Sequence, residues 1–202
     1  MRKIGITGGV GAGKSTVLSY LEKEWGAFVL QADQVGHLVM EPGGECYDPV
    51  IRLFGKEIIK NDKTIDRSMV SDVVFSRPEL LDRLNGLIHP AVKRYILCAM
   101  EEQEKKGCPL LVVEAALLLE EHYQDFLDEV WYVHTEEPIR IRRLMESRGY
   151  SREKAESIIR NQASVDFYMA HGDFVVENNG DLAGTCQRIR ERLLETEGIR
   201  EA

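Results

Sequence analysis

Short apolar runs alternate with longer amphipathic stretches along most of the 202 residues of the chain. Such runs, bounded by glycine or polar residues, are typical of strands buried on both faces of a sheet. Five strands are predicted, at Lys3–Thr7, Ala27–Ala32, Leu110–Val113, Glu129–Val133 and Phe174–Glu177. Helical segments separate them, beginning with Lys14–Glu24, which Gly26 ends. The pattern therefore predicts an α/β fold with a five-stranded parallel sheet covered by helices on both sides.

Two stretches interrupt this alternation. About seventy residues between the second and third strands contain no strand pattern and read as a helical insert. Its amphipathic segments are predicted at Tyr47–Phe54, Asp66–Phe75, Pro78–Ile88 and Ala91–Lys106. After the fourth strand, Thr135 is predicted to cap a helix that ends at Gly149, and a second helix restarts near Ser151, as in a lid.

We therefore predict one domain made of three parts. The core comprises residues 1–33, 108–138 and 171–202, the insert 34–107, and the lid 139–170. The last residues, from Thr196 on, are expected to fray.

Composition and charge disfavour several classes of binding partner and of site. A formal net charge of −8 opposes non-specific binding to nucleic acid, which needs a basic face. The longest apolar run, Ala115–Leu119, is too short for a membrane span, and no signal segment precedes the first strand, so a cytoplasmic protein is expected. The four cysteines have neither metal-ligand nor redox spacing and are expected to be free thiols. The oligomeric state is left open.

A glycine-rich loop follows the first predicted strand. Its residues are Gly8, Gly9, Val10, Gly11, Ala12, Gly13, Lys14, Ser15 and Thr16, with two glycines at the spacing of a phosphate-binding loop before the lysine and the hydroxyl residues. Glycines allow successive N–H groups to turn toward phosphate oxygens, and the following helix adds the positive end of its dipole. Lys14 is expected to reach the β- and γ-phosphates of ATP and Ser15 to ligate Mg²⁺. A ligand-free turn is the alternative, which the flanking strand and helix disfavour.

Two acids stand where predicted strands end, the edge at which open α/β sheets bind ligands. Asp33 is the candidate base for the acceptor's proton, with a helix N-cap as the alternative. Glu114 is the candidate that orients Mg²⁺ through water, with a helix cap or a surface acid as the alternative.

Arginines are concentrated in the predicted lid of this acidic chain. They are Arg140, Arg142, Arg143, Arg148 and Arg152. Some are expected to be solvated helix positions. Arg143, beside the apolar Leu144 and Met145, is the candidate for neutralising the transferring phosphoryl group.

Several separated segments, taken in their order and spacing, resemble the dephospho-coenzyme A kinase family over nearly the whole chain. They are Thr7–Thr16, Ala32-Asp33, Ile65-Asp66-Arg67, Leu84-Asn85, His89-Pro90, Leu117-Leu118 with Glu120, Arg143-Leu144, Gln162 and Asn178-Asn179-Gly180. The resemblance implies a P-loop kinase fold that uses ATP to phosphorylate the ribose 3′-hydroxyl of dephospho-coenzyme A, the last step of coenzyme A synthesis.

The resemblance also implies roles for individual residues. Asp33 would contact the acceptor hydroxyl, and the helical insert would help to hold the acceptor. Asn178 would lie near the adenine of ATP, with a plain turn as the alternative, and His89 would shape the acceptor pocket, with capping or packing as the alternative. Because that acceptor is polyanionic, Arg67, Lys93 and Arg94 are candidates for binding its diphosphate.

Departures from the family pattern and competing functions remain. Gln31, Glu114 and Ser147 stand where the family has aspartate, aspartate and arginine. Another small-metabolite or nucleotide kinase on the same core is the alternative enzyme. A nucleotide-binding switch is disfavoured because the chain contains no Asn-Lys-x-Asp guanine-reading motif. Trp131 and Tyr132 are expected to be core residues.

Overall fold

A five-stranded parallel sheet forms the centre of the computed structural model, which describes residues 1–195. The strands are β1 (Arg2–Thr7), β2 (Phe28–Gln31), β3 (Leu110–Glu114), β4 (Glu129–His134) and β5 (Phe174–Glu177). Their order across the sheet is β2-β3-β1-β4-β5. The predicted α/β class and all five strands are confirmed, with ends that differ by one residue at most from the sequence pattern. The residues from Thr196 on, for which fraying is predicted, lie outside the described range.

Helices occupy the stretches between the strands. They are α1 (Lys14–Trp25), α2 (Ala32–Leu38), α3 (Tyr47–Phe54), α4 (Arg67–Ser76), α5 (Pro78–Lys105), α6 (Glu137–Arg148), α7 (Arg152–Arg160), α8 (Val165–His171) and α9 (Leu182–Glu195), with 3₁₀ helices at Lys56–Ile58 and Tyr123–Phe126. Gly26 ends α1 in the left-handed conformation, as predicted, and Ser151 caps α7 by accepting a hydrogen bond from the Lys154 amide. No helix within residues 1–195 has both the length and the apolar character needed to cross a bilayer.

The chain divides into two compact units. One consists of Met1–Val29 together with the chain from Gln103 onward, and it contains β1, β3, β4, β5, α1 and α6 to α9. The other, Leu30–Glu102, is helical, and we call it the helical unit. All four cysteines lie in the described range and are free thiols.

One large core cluster of the first unit lies on the face of the sheet that α1 and α9 cover. Ile4 and Ile6 of β1 point to this face, where they pack with apolar residues of α1 and α9. Trp131 is opposite Ile6 in the β1–β4 register and is fully buried in the same cluster. Tyr132 faces the other side, where its ring stacks on Tyr168 at 4.9 Å. The prediction that both residues of β4 belong to the core is confirmed.

One helix replaces two predicted ones. The sequence pattern breaks at Pro90, but α5 continues through it from Pro78 to Lys105. Proline removes one N–H and leaves the carbonyl of Gly86, four residues earlier, without its helical partner. Both Pro90 and Gly86 are exposed, so water can bind that carbonyl. The buried stripe, which includes Leu84 before the proline and Ile96 after it, keeps one face and makes the continuous helix favourable.

Candidate active site

The glycine-rich loop joins the end of β1 to the start of α1, as predicted. Gly13, the last residue before α1, has φ of 90°, a left-handed conformation that residues with a Cβ rarely adopt. A Cβ at Gly13 would also lie 2.2 Å from Nδ2 of Asn178. Both the backbone conformation and the close approach therefore require glycine at this position.

Lys14, the first residue of α1, folds back over the loop. Its Nζ donates a hydrogen bond of 2.7 Å to the carbonyl oxygen of Gly8 and lies 3.5 Å from Oε1 of Glu114. Glu114 ends β3 and pairs in register with Ile6 of β1, so the predicted strand-end acid does reach the loop. The ammonium group of Lys14 is thereby held between the Gly8 carbonyl oxygen and the Glu114 carboxylate.

The first turn of α1 favours an anion. It contains no acidic side chain, and Ser15 and Thr16 are exposed there. The positive end of the helix dipole is therefore not neutralised by the helix itself.

The oxygen groups beside Lys14 suit magnesium that arrives with a nucleotide. Within residues 1–195, no group of three or more His, Cys, Asp and Glu side chains could hold a metal ion by itself. Mg²⁺ commonly takes one or two protein oxygens and completes its shell with water and substrate phosphates. The Ser15 hydroxyl and the Glu114 carboxylate are of this chemical type.

The carbonyl oxygen of Ala12, inside the loop, is surrounded by donors. Nδ2 of Asn178 donates to it at 2.7 Å, and Nη1 of Arg143 lies at 3.4 Å. The hydroxyl of Thr135 lies 2.9 Å from the same oxygen and 3.1 Å from the carbonyl oxygen of Asn178. A backbone group of the glycine-rich loop, residues 8–16, which we call the phosphate loop, is thus fixed by side chains that follow β4 and β5.

Thr135 was predicted to cap α6, and that prediction is wrong. Glu136 occupies the cap position, with no side-chain hydrogen bond to the helix. Thr135 is only 2% exposed, and a buried hydroxyl needs a hydrogen-bond partner. The backbone of the phosphate loop provides it.

Asn178, directly after β5, connects several parts of the site. Its side chain is buried and accepts a hydrogen bond of 3.1 Å from the Thr185 hydroxyl. Its carbonyl oxygen accepts one of 2.9 Å from Nη2 of Arg143. Arg143 of α6 therefore lies against the loop through the backbone oxygens of Ala12 and Asn178.

Arg140 also reaches the loop, and sequence reasoning did not select it. It is 7% exposed, its Nε donates to the carbonyl oxygen of Val10 at 2.9 Å, and its Nη2 donates to Oε1 of Gln162 at 2.6 Å. Burial lowers the pKa of Arg140 from its usual value. A signal existed in the sequence, because Arg140 precedes the buried Leu144 by four residues and so shares the inner face of α6.

The remaining lid arginines are exposed. Arg152 pairs with Glu156 one turn later on α7, while Arg142 and Arg148 have no protein partner within residues 1–195. These three match the expectation that part of the arginine cluster is solvated.

Asp33 lies in the helical unit, as the second residue of α2. The cap position of α2 is Gln31, so the alternative that Asp33 caps this helix is wrong. Its side chain is exposed and has no hydrogen-bond partner within residues 1–195. It is available for a substrate.

Residues of the helical unit that are candidates for binding the acceptor substrate differ in their contacts and burial. Arg67 follows the N-cap Asp66 and lines an open cavity of about 250 Å³ whose other walls include Ile65, Val70 and Leu84. Arg94 forms an ion pair with Glu45 across the unit. His89 is half-buried inside α5, so the predicted helix junction at this residue is wrong.

Comparison with known proteins identifies relatives that cover nearly the whole chain. The sequence model described as dephospho-CoA kinase matches residues 2–184. The dephospho-CoA kinase of Dehalococcoides mccartyi is 34% identical over 198 residues, which are 96% of this chain and 99% of the relative. Among solved structures, protein TT1252 of Thermus thermophilus has a TM-score of 0.80 at 32% identity, covering 98% of both chains. The dephospho-CoA kinase of Campylobacter jejuni has a TM-score of 0.73 at 23% identity, covering 96% and 97%.

Proposed function

Since the chain belongs to the dephospho-CoA kinase family and is therefore an ATP-dependent kinase, we propose that residues 8–16 hold the triphosphate while Asp33 receives the acceptor's proton. The product is coenzyme A, phosphorylated on its ribose 3′-hydroxyl, and the second product is ADP. The observation that carries the proposal is the loop itself, with Lys14 held at its mouth between Gly8 and Glu114.

In the proposed reaction, the acceptor's 3′-oxygen attacks the γ-phosphorus of ATP. A bond forms between these two atoms, the bond from the γ-phosphorus to the β,γ-bridging oxygen breaks, and ADP leaves with that electron pair. The hydroxyl proton passes to the carboxylate of Asp33. Phosphoryl transfer needs mainly alignment and charge neutralisation, which an ordered loop with its lysine suits, and the exposed carboxylate of Asp33 suits proton transfer.

Lys14 and Arg143 are proposed to supply the neutralising charge. Lys14 exchanges the carbonyl oxygen of Gly8 for β- and γ-phosphate oxygens, a move that needs only rotation of its flexible side chain. Arg143 already lies against Ala12 and is proposed to act on the same phosphate chain. Ser15, with Glu114 acting through water, would hold a Mg²⁺ ion, which would neutralise further phosphate charge when bound.

The helical unit is proposed to bind the acceptor. Arg67 has no ion-pair partner within residues 1–195 and is proposed to meet the acceptor's diphosphate beside its largely apolar cavity. Arg94 is a second cation for the diphosphate once Glu45 releases it, and His89 would shape the pocket. Asn178 is proposed to lie near the adenine of ATP while its amide holds Ala12.

We propose that successive segments of the chain have different roles in the reaction. Residues 1–33, 108–138 and 171–202 form the nucleotide core, residues 34–107 bind the acceptor, and residues 139–170 close as a lid. Small-molecule substrates, with neither nucleic acid nor membrane as a partner, fit the acidic charge. The four free thiols fit a reducing compartment such as the cytoplasm.

A product assay tests this function. The purified chain is incubated with Mg-ATP and, separately, with dephospho-CoA, AMP, adenosine and shikimate, and products are identified by mass spectrometry. We expect phosphorylation of dephospho-CoA alone, and a loss of at least about a hundredfold in rate for Lys14→Ala. Phosphorylation of AMP or shikimate in place of dephospho-CoA would instead identify another small-metabolite kinase.

A further inference from the structure

A second open cavity lies in the helical unit, between α3 and α5. Its volume is about 510 Å³, compared with about 250 Å³ for the cavity at Arg67. Small-molecule sites usually have volumes of about 300 to 1,000 Å³. Each helix contributes three residues spaced i, i+3 and i+4, which share one helix face. They are Pro49, Arg52 and Leu53 on α3, and Arg83, Gly86 and Leu87 on α5. Two helix faces thus enclose a space of ligand size.

The two arginines of this cavity have no carboxylate that neutralises them. Arg52 and Arg83 are exposed, and neither side chain forms an ion pair or a hydrogen bond with another residue of the described range, 1–195. None of the described lining residues is acidic, although the chain as a whole has a net charge of −8. Two like charges at one cavity repel each other, and an anion bound between them would offset this repulsion. The cavity therefore favours an anionic ligand.

A backbone oxygen adds a hydrogen-bond acceptor to the cavity. Gly86 has no side chain, so it meets the cavity with its main chain, and a Cβ added there would enter open space. Its carbonyl oxygen is the one that Pro90 leaves without a helical partner. Such a carbonyl accepts a hydrogen bond from water or from an N–H or O–H group of a ligand. Apolar surface beside it is supplied by Pro49, Leu53 and Leu87.

We propose that this cavity binds a phosphate monoester that also carries an apolar ring and an N–H or O–H group. Such a phosphate has close to two negative charges at neutral pH, which match the two guanidinium groups, whereas a carboxylate has only one. Arginine also pairs with phosphate oxygens through two parallel hydrogen bonds. The ring packs between Leu53 and Leu87, and the donor group reaches the carbonyl oxygen of Gly86.

This site is separate from the one proposed for the acceptor. The two cavities share no lining residue. His37 lines the cavity at Arg67 and follows Asp33 by four residues on α2, so the acceptor cavity lies on the same helix face as the proposed base. The helix α5 forms a wall of both cavities, but through different residues. The inference therefore goes beyond the proposed reaction, which uses neither Arg52 nor Arg83.

Binding of 4-aminophenyl phosphate tests the proposal. Calorimetry measures its dissociation constant while a non-hydrolysable ATP analogue with Mg²⁺ fills the phosphate loop. The proteins compared are the wild type, Arg52→Gln, Arg83→Gln, Gly86→Leu, Arg67→Gln and Arg77→Gln. Gly86→Leu fills part of the cavity and should not harm the helix, because leucine is a better helix former than glycine. Arg77→Gln is the matched control, since Arg77 is exposed and lines neither cavity.

We expect the dissociation constant to rise about tenfold in Arg52→Gln and in Arg83→Gln, and at least as much in Gly86→Leu. It should not change in Arg67→Gln or in Arg77→Gln. Inorganic phosphate, which lacks the ring, should bind the wild type more weakly than the monoester does. Because Arg52 and Arg83 are exposed and unpaired within residues 1–195, their variants should fold like the wild type.

Several results would overturn the proposal. The wild type could fail to bind the probe, or Arg52→Gln and Arg83→Gln could bind it as tightly as the wild type does. Loss of binding in Arg67→Gln alone would place the probe in the acceptor cavity. A tenfold rise in the KM for dephospho-CoA in Arg52→Gln or Arg83→Gln, where we expect no change, would assign the cavity to the acceptor. A chain that binds the probe as expected but phosphorylates no acceptor would refute the proposed function and leave this site standing.

Discussion

The phosphate loop and the helical unit differ in whether their polar groups already have hydrogen-bond partners within the protein. In the loop, backbone oxygens such as that of Ala12 already have side-chain donors, supplied by Thr135 and Asn178. In the helical unit, Asp33 and Arg67 are exposed, and neither has a side-chain partner within residues 1–195. The first region is ordered by the protein itself, whereas the two side chains of the second that we propose to act on the acceptor have no protein partner within residues 1–195.

This difference has an energetic meaning. Groups that are fixed before the substrate binds cost no reorganisation during the reaction, so their hydrogen bonds contribute to both folding and catalysis. Exposed polar side chains contribute little to folding. Substitutions around the loop should therefore change stability and activity together, and substitutions of the free side chains should change activity alone.

The largest expected effect is that of Asp33→Asn. Asparagine keeps the size of the side chain but cannot accept the acceptor's proton, so kcat should fall by about 10² to 10⁴. Steady-state kinetics and ATP binding by calorimetry measure this. Because Asp33 is exposed and does not cap α2, the melting temperature and the Kd for ATP should remain at wild-type values. Full activity in this variant would remove Asp33 from the reaction.

Asn178→Ala should give a smaller effect on activity and a clear one on stability. It deletes the 2.7 Å bond to Ala12 and leaves buried partners short of a hydrogen bond, which costs about 1 to 3 kcal/mol in unfolding free energy. The looser loop should also raise the Kd for ATP. Urea unfolding and calorimetry measure the two quantities.

Asn178→Asp is the matched control, since it keeps the shape and loses the donor. It should be at least as damaging, because its carboxylate would face the Ala12 carbonyl oxygen. If both variants kept wild-type stability, the view that the loop is held by this contact would be wrong.

Local patterns predicted much of the fold. The five strands are apolar runs bounded by turn residues, and Trp131 was assigned to the core from strand alternation alone. The phosphate loop and its lysine were recognised because the residues of the motif are consecutive in the sequence. Such features need no information about distant partners.

The errors and omissions involve partners far away in sequence. Thr135 looked like a helix cap because its local sequence permits one, but its hydroxyl bonds to Ala12, 123 residues earlier. Arg140 was one of five clustered arginines and was not selected, because the residue that accepts its hydrogen bond, Val10, lies 130 residues away in sequence. Two separate helices were predicted on either side of Pro90, but one continuous helix forms because the apolar stripe that continues past the proline outweighs the missing hydrogen bond. Tertiary contacts decided each case.

The smallest predicted effect is that of a substitution in the helical unit. It tests whether the exposed side chains of this unit serve the acceptor and not ATP. Arg67→Ala should raise the KM for dephospho-CoA about tenfold, the size expected for one charge-assisted contact, and leave the KM for ATP unchanged. Initial rates at varied concentrations of each substrate measure both constants. Arg77→Ala is the matched control, because Arg77 is an exposed arginine of the same unit for which no role is proposed. An equal rise in the KM for ATP in Arg67→Ala would mean that this side chain also supports nucleotide binding. The helical unit would then not be specific to the acceptor.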